Sequence, residues 1–173
     1  MSTEQTESES YQQAVIESIN VLCRIFWGPD PEACGYMTAN RFFRPFEIIK
    51  AEHAAFAADI LPDMMAIPGQ FASGDLLHSH LDECYVSLFV NSRDGIIPLY
   101  QSCYEYEDAP MMGESARMMA GLFEAKGLSL ADSLSEPPDH LAIELEYLFF
   151  LLNGEDGNVT DINGNRAFPQ EAV

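Results

Sequence analysis

The chain is short of positive charge: 8 Lys and Arg stand against 28 Asp and Glu, a net charge of −20 at pH 7 over 173 residues. Nucleic acids and anionic membranes are polyanions, so this balance disfavours both and favours basic partners, whose approach a negative field steers. Acidity also serves solubility, and charge alone does not separate the two roles. Long apolar runs are scarce as well. The most apolar stretch, residues 141–152, is interrupted by Glu144 and Glu146 and falls short of the roughly 20 residues that a bilayer span requires, so no membrane insertion is expected. Cys23, Cys34, Cys84 and Cys103 are widely spaced, without the C-x-x-C pair of a zinc knuckle or dithiol switch, and read as reduced thiols of the interior. The amino terminus, MSTEQTESES, lacks the basic and apolar regions of a secretory signal, which predicts a cytoplasmic protein. No internal repeat and no convincing period-two alternation occurs, so a sheet is not expected.

Helical periodicity is abundant. Hydrophobic residues make up 47% of the chain, enough for one core, and the length fits one domain. Residues 1–9 are polar and read as disordered; a helix then starts near Tyr11, with Val15, Ile19, Leu22 and Phe26 on one face and Gly28-Pro29 ending it. A short helix follows Pro31, and FEIIKAEHAAFAADIL reads as a longer one closed by Pro62. Residues 62–74 read as a loop, with Ser73 or Asp75 capping the next helix. On that helix Leu77, Leu81, Cys84, Tyr85, Leu88 and Phe89 share a face expected to be mostly core. Residues 98–110 look irregular or briefly helical. A further helix covers roughly 111–126, with Met112, Ala116, Met119 and Phe123 inward and Gly127 past its end. Glu136-Pro137-Pro138-Asp139-His140 then opens a last helix near Pro138, because prolines suit a first turn and Asp139 complements the positive helix end. The apolar residues that follow predict a central core helix. Residues 154–173 carry Gly, Asn and Asp without periodicity and read as an irregular tail after a helical domain of 10–153.

Four segments fall in a recognisable order: Leu81-x-x-x-Tyr85-x-x-Leu88-Phe89-Val90-Asn91; Pro98-x-Tyr100-Gln101-Ser102-x-Tyr104; Met112-Gly113-Glu114; and Glu136-Pro137-Pro138-Asp139-His140-Leu141 with Glu144 and Leu145. Across residues 11–153 the chain resembles the TorD/DmsD/NarJ family of cytoplasmic chaperones for molybdenum-cofactor oxidoreductases. The proline-rich block is the most specific piece, whereas the two tyrosine motifs gain weight from order and spacing. The resemblance implies an all-α, single-domain helical bundle without catalytic turnover and without a cofactor of its own. Its partners would be the catalytic subunit of such an oxidoreductase and that subunit's twin-arginine signal peptide, with export delayed until the client's cofactor is inserted. Carried over by motif, the peptide-binding residues are Asp139, His140, Tyr100, Ser102 and Tyr104, with Tyr85 and Phe89 supporting the groove from the core. From the same block Glu136 joins the peptide-binding residues and Pro138 the groove support. Members usually continue into further C-terminal helices that are missing or divergent here, which points to an exposed apolar patch and makes a homodimer an expectation, with domain swapping as in other members one route to it.

The chemistry fits a peptide holder. Two guanidinium groups followed by an apolar run need carboxylates beside an apolar groove, and a carboxylate such as Asp139 or Glu136 binds a guanidinium through charge-assisted, often bidentate bonds. Met64-Met65, Met111-Met112 and Met118-Met119 offer either deformable contact surface or ordinary core. Plainer roles remain open at each position: Asp139 as a helix-dipole partner, His140 as a loop cap, the tyrosines as tethers of a loop. Two other classes compete. A metal-dependent enzyme would use His78-x-His80 with Asp82 and Glu83, but residues two apart on a helix point in divergent directions, so no metal site is expected. Asp161-x-Asn163-x-Asn165 opens like a calcium loop, yet Arg166 and Ala172 stand where the glycine and the closing acid belong. The third alternative is a NarJ-like assembly chaperone of a membrane-bound molybdoenzyme that reads no signal peptide.

Overall fold

The computed structural model describes residues 3–39, 42–91, 97–131 and 134–153, with side chains from residue 10. It is all-α. Helix α1 spans Thr3–Trp27, longer at its start than the apolar pattern required, and stops where Gly28 takes a left-handed φ of 105° that few other residues tolerate. Asp30 then caps α2 (Pro31–Thr38) by accepting the Ala33 N–H at 2.7 Å.

The long helix expected over residues 46–61 is two helices. Helix α3 (Arg44–Glu52) buries Phe46 and Ile49 and ends at His53, the chain turns through Ala57 at a φ of 46°, and α4 covers Leu61–Ala66. The alanine-rich stretch presents too few large apolar groups to hold a second buried turn, and residues 51–56 are exposed. Pro62 starts a helix here instead of ending one, as a missing N–H in the first turn allows. The segment read as a loop thus holds α4 and a 3-10 turn at Pro68–Gln70.

Ser73 caps α5 (Gly74–Tyr85), which runs on as a π-helical turn over Val86–Val90. A 3-10 turn at Gln101–Tyr104 leads to α6 (Glu114–Ala125). Its cap comes from outside the helix: the Glu105 carboxylate accepts both the backbone N–H and the hydroxyl of Ser115 at 2.6 Å. A side chain at Gly113 would bring Cβ to 2.7 Å from Glu105 Oε2, so the carboxylate would have to move from its place beside Ser115. Met112 was expected inward and is 59% exposed, because it precedes the helix. The last helix, α7 (Leu141–Asn153), packs mainly on α1.

Helix α1 divides the interior. On one side Ile19 and Cys23 meet Met119 and Phe123 of α6 and Ile143, Tyr147, Phe149 and Phe150 of α7. On the other, Val21 meets Cys34, Met37, Phe42, Phe43, Phe46, Leu61 and Leu77. Helix α7 is buried on one side only: Leu148, Leu151 and Leu152 remain exposed, so the fully central helix read from its composition is half right. Its wide apolar surface exceeds what α1 and α6 cover.

The tail 154–173 and its Asp161-x-Asn163-x-Asn165 motif lie outside the described residues. Among the described residues no group of His, Cys, Asp and Glu is arranged to hold a metal ion, and no helix is long and apolar enough to cross a membrane.

Candidate functional site

Asp139 and His140 do not project from the helix start. Asp139 has no exposed surface and His140 retains 5%, so neither of these two residues, named for peptide binding by motif, offers its side chain to a peptide at the surface. The reason is backbone pairing just before α7. The main chain at Tyr100 and His140 forms a short antiparallel bridge, in which Gln101 N–H donates to Asp139 O at 3.0 Å and Leu141 N–H to Leu99 O at 2.7 Å. That bridge draws the 3-10 turn over the proline block. Asp139 Oδ2 then accepts the Ser102 N–H at 2.8 Å, which leaves Asp139 Oδ1 and Ser102 Oγ buried without a hydrogen-bond partner.

His140 lies between rings. The indole of Trp27 stacks on it at 5.1 Å between centroids, Tyr100 meets it edge-on at 5.3 Å, and its Nδ1 accepts the Ala142 N–H at 3.2 Å. Burial lowers its pKa, against the pull of Glu136 and Asp139, and so favours the neutral ring. The Tyr100 hydroxyl donates to Glu136 Oε2 at 2.6 Å; burial foremost, and that carboxylate next, push the phenol's pKa up. Trp27 Nε1–H donates to Glu146, whose carboxyl is raised to about 7 by burial despite that bond. Glu144 is raised by burial and by Asp139. The proline block is thus one polar seam, running from Glu136 through Tyr100, His140 and Trp27 to Glu146. Tyr104 stands apart, 63% exposed, its hydroxyl donating to Pro98 O at 2.9 Å.

Tyr85 lines a concave surface near this seam. A cavity of about 210 Å³ opens between α1, α2 and the continuous α5 rod, with Met37, Phe43, Leu81, Leu88 and Phe89 in its wall. The α5 face read as core is therefore mostly cavity wall. Leu77 is the one fully buried residue of that face; Cys84 and Leu88 are exposed, and Tyr85 and Phe89 line the cavity instead of backing it. Tyr85 is fixed by its hydroxyl, which donates to Phe26 O at 2.9 Å, and by its ring, which lies against Gly28. Burial, then the Glu136 carboxylate, raise the Tyr85 pKa. Pro138 lines a separate open cavity beside α6, of about 610 Å³, with Ala120, Phe123 and Leu128.

Of the residues singled out from sequence, Glu136, Tyr100, Ser102, Asp139 and His140 come together in the seam, and Tyr85 and Phe89 in the cavity. Tyr104 and Pro138 join neither. Sequence reasoning missed Trp27, Glu146, Arg24 and Glu105. The first two carry a usable signal, a sole tryptophan at a helix-ending glycine and an acid inside an apolar helix; Arg24 and Glu105 carry none short of three dimensions.

The sequence profile of the nitrate reductase delta subunit family matches residues 51–170. Chaperone protein TorD of Vibrio cholerae serotype O1, strain O395, is 38% identical over 68 residues, which cover 39% of this chain and 30% of that protein; TorD of strain M66-2 gives the same figures. The match thus spans less than a third of the curated relatives' length. In three dimensions the chain is similar to a redox enzyme maturation protein from Archaeoglobus fulgidus, with a TM-score of 0.49 and 25% identity over 80% of this chain and 72% of that one. With the profile covering well over half of its residues, and in keeping with the motifs of the proline block, the chain belongs to the nitrate reductase delta subunit family.

Proposed function

We propose that this protein is a cytoplasmic maturation chaperone that binds, without catalytic turnover, the twin-arginine signal peptide of a molybdenum-cofactor oxidoreductase and its immature catalytic subunit, delaying export until that cofactor is in place. The observation that carries the reading is an open apolar cavity walled by Leu81, Tyr85, Leu88 and Phe89, with the Glu136 carboxylate held by Tyr100 in the neighbouring seam. A basic group followed by apolar side chains matches that order of surfaces: the guanidinium pairs with an acid and the apolar run leaves water along Leu81, Leu88 and Phe89. The net charge of −20 adds association rate and salt sensitivity more than equilibrium affinity. Asp139 and His140 act in this reading by holding Tyr100 and Glu136 in position. TorD of Vibrio cholerae, a chaperone by name, favours the same class.

Calorimetry with a synthetic peptide of two arginines and a leucine-rich run tests it. Glu136→Gln, which keeps an acceptor for Tyr100 and removes the charge, is expected to weaken binding by about tenfold, the scale of one charge-assisted hydrogen bond. Leu88→Asp is expected to abolish binding, since it places a charge in the apolar wall while the side chain stays exposed enough for the fold to persist. Undiminished binding by both variants contradicts the proposal.

A second reading has its own observation. The exposed stripe of Leu148, Leu151 and Leu152 on α7 offers an apolar face suited to a folded subunit, as a NarJ-like assembly chaperone requires. Capture of a client lacking its signal peptide, lost on Leu148→Asp and indifferent to Leu88→Asp, favours this second role.

A further inference from the structure

The cavity beside α6 is the larger of the two described above, about 610 Å³ against about 210 Å³, and the peptide-holding reading leaves it unused. One wall is the edge of α6, with Ala120, Phe123 and Glu124. The other is the chain just past that helix. Gly127, at a left-handed φ of 66°, donates its N–H to Glu124 O at 3.0 Å and Leu128 donates to Phe123 O at 2.9 Å, which closes α6 and leads the chain along the cavity. Leu128 and Leu130 pack partly against the core shared by α1, α6 and α7, so this wall is anchored, while Ser129 between them is exposed. The backbone of Ser129 and Leu130 lies in no helix and gives or takes no hydrogen bond among the described residues. Glu124 is the charged residue of the lining. It stands in the last turn of α6, where the helix end is negative and a cation is the favoured neighbour, yet its carboxylate has no hydrogen bond or ion pair among the described residues.

We infer that this cavity is a second docking groove, for an extended peptide segment of a partner protein in which a lysine or arginine stands between apolar residues. Three features select that occupant. Free main-chain donors and acceptors at Ser129 and Leu130 match the edge of an extended chain, which presents both kinds of group along its length. The apolar surface of Phe123, Leu128, Leu130 and Pro138 receives the side chains that such an edge turns to one face. Glu124, unpaired beside a negative helix end, attracts a cation, and the net charge of −20 repels an acid or a polyanion. A compact apolar molecule fills the floor and leaves both the carboxylate and the backbone edge to water. The inference goes beyond the twin-arginine reading and does not depend on it, because the two cavities share no lining residue.

The test uses the full chain and short capped peptides with lysine, glutamine or glutamate at the centre of a valine-rich run, together with a copy of the lysine peptide methylated on two alternate backbone amides. Affinity is read by fluorescence anisotropy and location by hydrogen exchange. The lysine peptide is expected to bind about fivefold tighter than the glutamine peptide, the upper scale of an exposed ion pair, with the glutamate peptide weakest. That preference shrinks at high salt, as an exposed pair does. Methylation of the amides is expected to weaken binding about tenfold, the scale of two hydrogen bonds, and the bound lysine peptide to protect the amides of Ser129 and Leu130. Glu124→Gln is expected to erase the lysine preference while the glutamine peptide binds as before. Ala120→Arg, at an exposed position of α6, is expected to abolish binding with the circular-dichroism spectrum unchanged, and Leu88→Asp to leave binding intact. A lysine preference that survives Glu124→Gln, a methylated peptide that binds as tightly, binding lost in Leu88→Asp, or no binding by any of these peptides overturns the inference. Each of those results leaves the twin-arginine reading to its own peptide and its own variants.

Discussion

Replacing Asp139 by Ala removes the acceptor that holds the 3-10 turn over the proline block. The lost bond joins a charged acceptor to the Ser102 N–H at 2.8 Å in a fully buried place, and such bonds contribute about 1.5–3 kcal/mol. The substitution also strands the Ser102 N–H, which adds to the cost, and removes Asp139 Oδ1, a buried oxygen without a partner, which offsets part of it. A net loss of about 2 kcal/mol follows, and for a chain of this size each kcal/mol lowers Tm by about 2–4 °C, so the midpoint falls by about 4–8 °C. Asp139→Asn keeps an oxygen for Ser102 and supplies a donor, so its loss stays below about 1 kcal/mol. Thermal unfolding followed by far-ultraviolet circular dichroism reads both values, and peptide calorimetry below the transition reads the site. An Ala variant that melts with the wild type yet fails to bind peptide refutes the reasoning, because it makes Asp139 a contact residue and not the tether of Tyr100 and Glu136.

Further outcomes follow from the same coordinates. Glu146 is a carboxyl whose folded pKa, about 7, lies above its ordinary 4.5, so the native state binds the extra proton and this group's contribution to stability declines as pH rises from about 4.5 to 7. Glu146→Gln is therefore expected to be more stable than the wild type at pH 8 by on the order of 1–3 kcal/mol and nearly equal to it at pH 4.5, as measured by urea unfolding. His140 works in the opposite sense: its lowered pKa makes its contribution full above about 6.5 and lost as pH falls below that value. Trp27, the sole tryptophan, touches both groups, so its fluorescence should titrate near pH 7 in the wild type and lose that transition in Glu146→Gln. Ile143→Ala, at a position with no exposure, should cost about 2–5 kcal/mol by chemical denaturation. Gly28→Ala imposes a left-handed φ of 105° on a residue with a side chain and should cost about 1–3 kcal/mol without loss of helix content.

Elements whose ends carry local chemistry were legible in the sequence. Gly28, Pro31, Ser73 and Gly127 all mark real boundaries, because a left-handed turn, a first-turn proline and a hydroxyl cap act within four residues. The stretch 46–61 misled because helix propensity in its alanines is unopposed locally, and only the lack of a buried face breaks it at His53. The α5 face misled in a different way: Leu81, Tyr85, Leu88 and Phe89 recur as core residues do, and a cavity wall has the same period as a core. Burial of the Asp139-His140 pair was not legible, because the bridge between Tyr100 and His140 joins residues 40 apart, and no local rule reports it. Separation in sequence likewise hides the cap that Glu105 gives Ser115, 10 residues on, and the pairing of Trp27 with Glu146, 119 residues on.

Hydrogen exchange with and without a peptide of two arginines and a leucine-rich run tests the central claim most directly, since it reads location as well as binding. Protection confined to residues 81–91, to 97–104 and to the end of α1 near Arg24 and Gly28, lost in Leu88→Asp, is the predicted result. Protection limited to α7 around Leu148 and Leu152, or no change at any segment under saturating peptide, contradicts it.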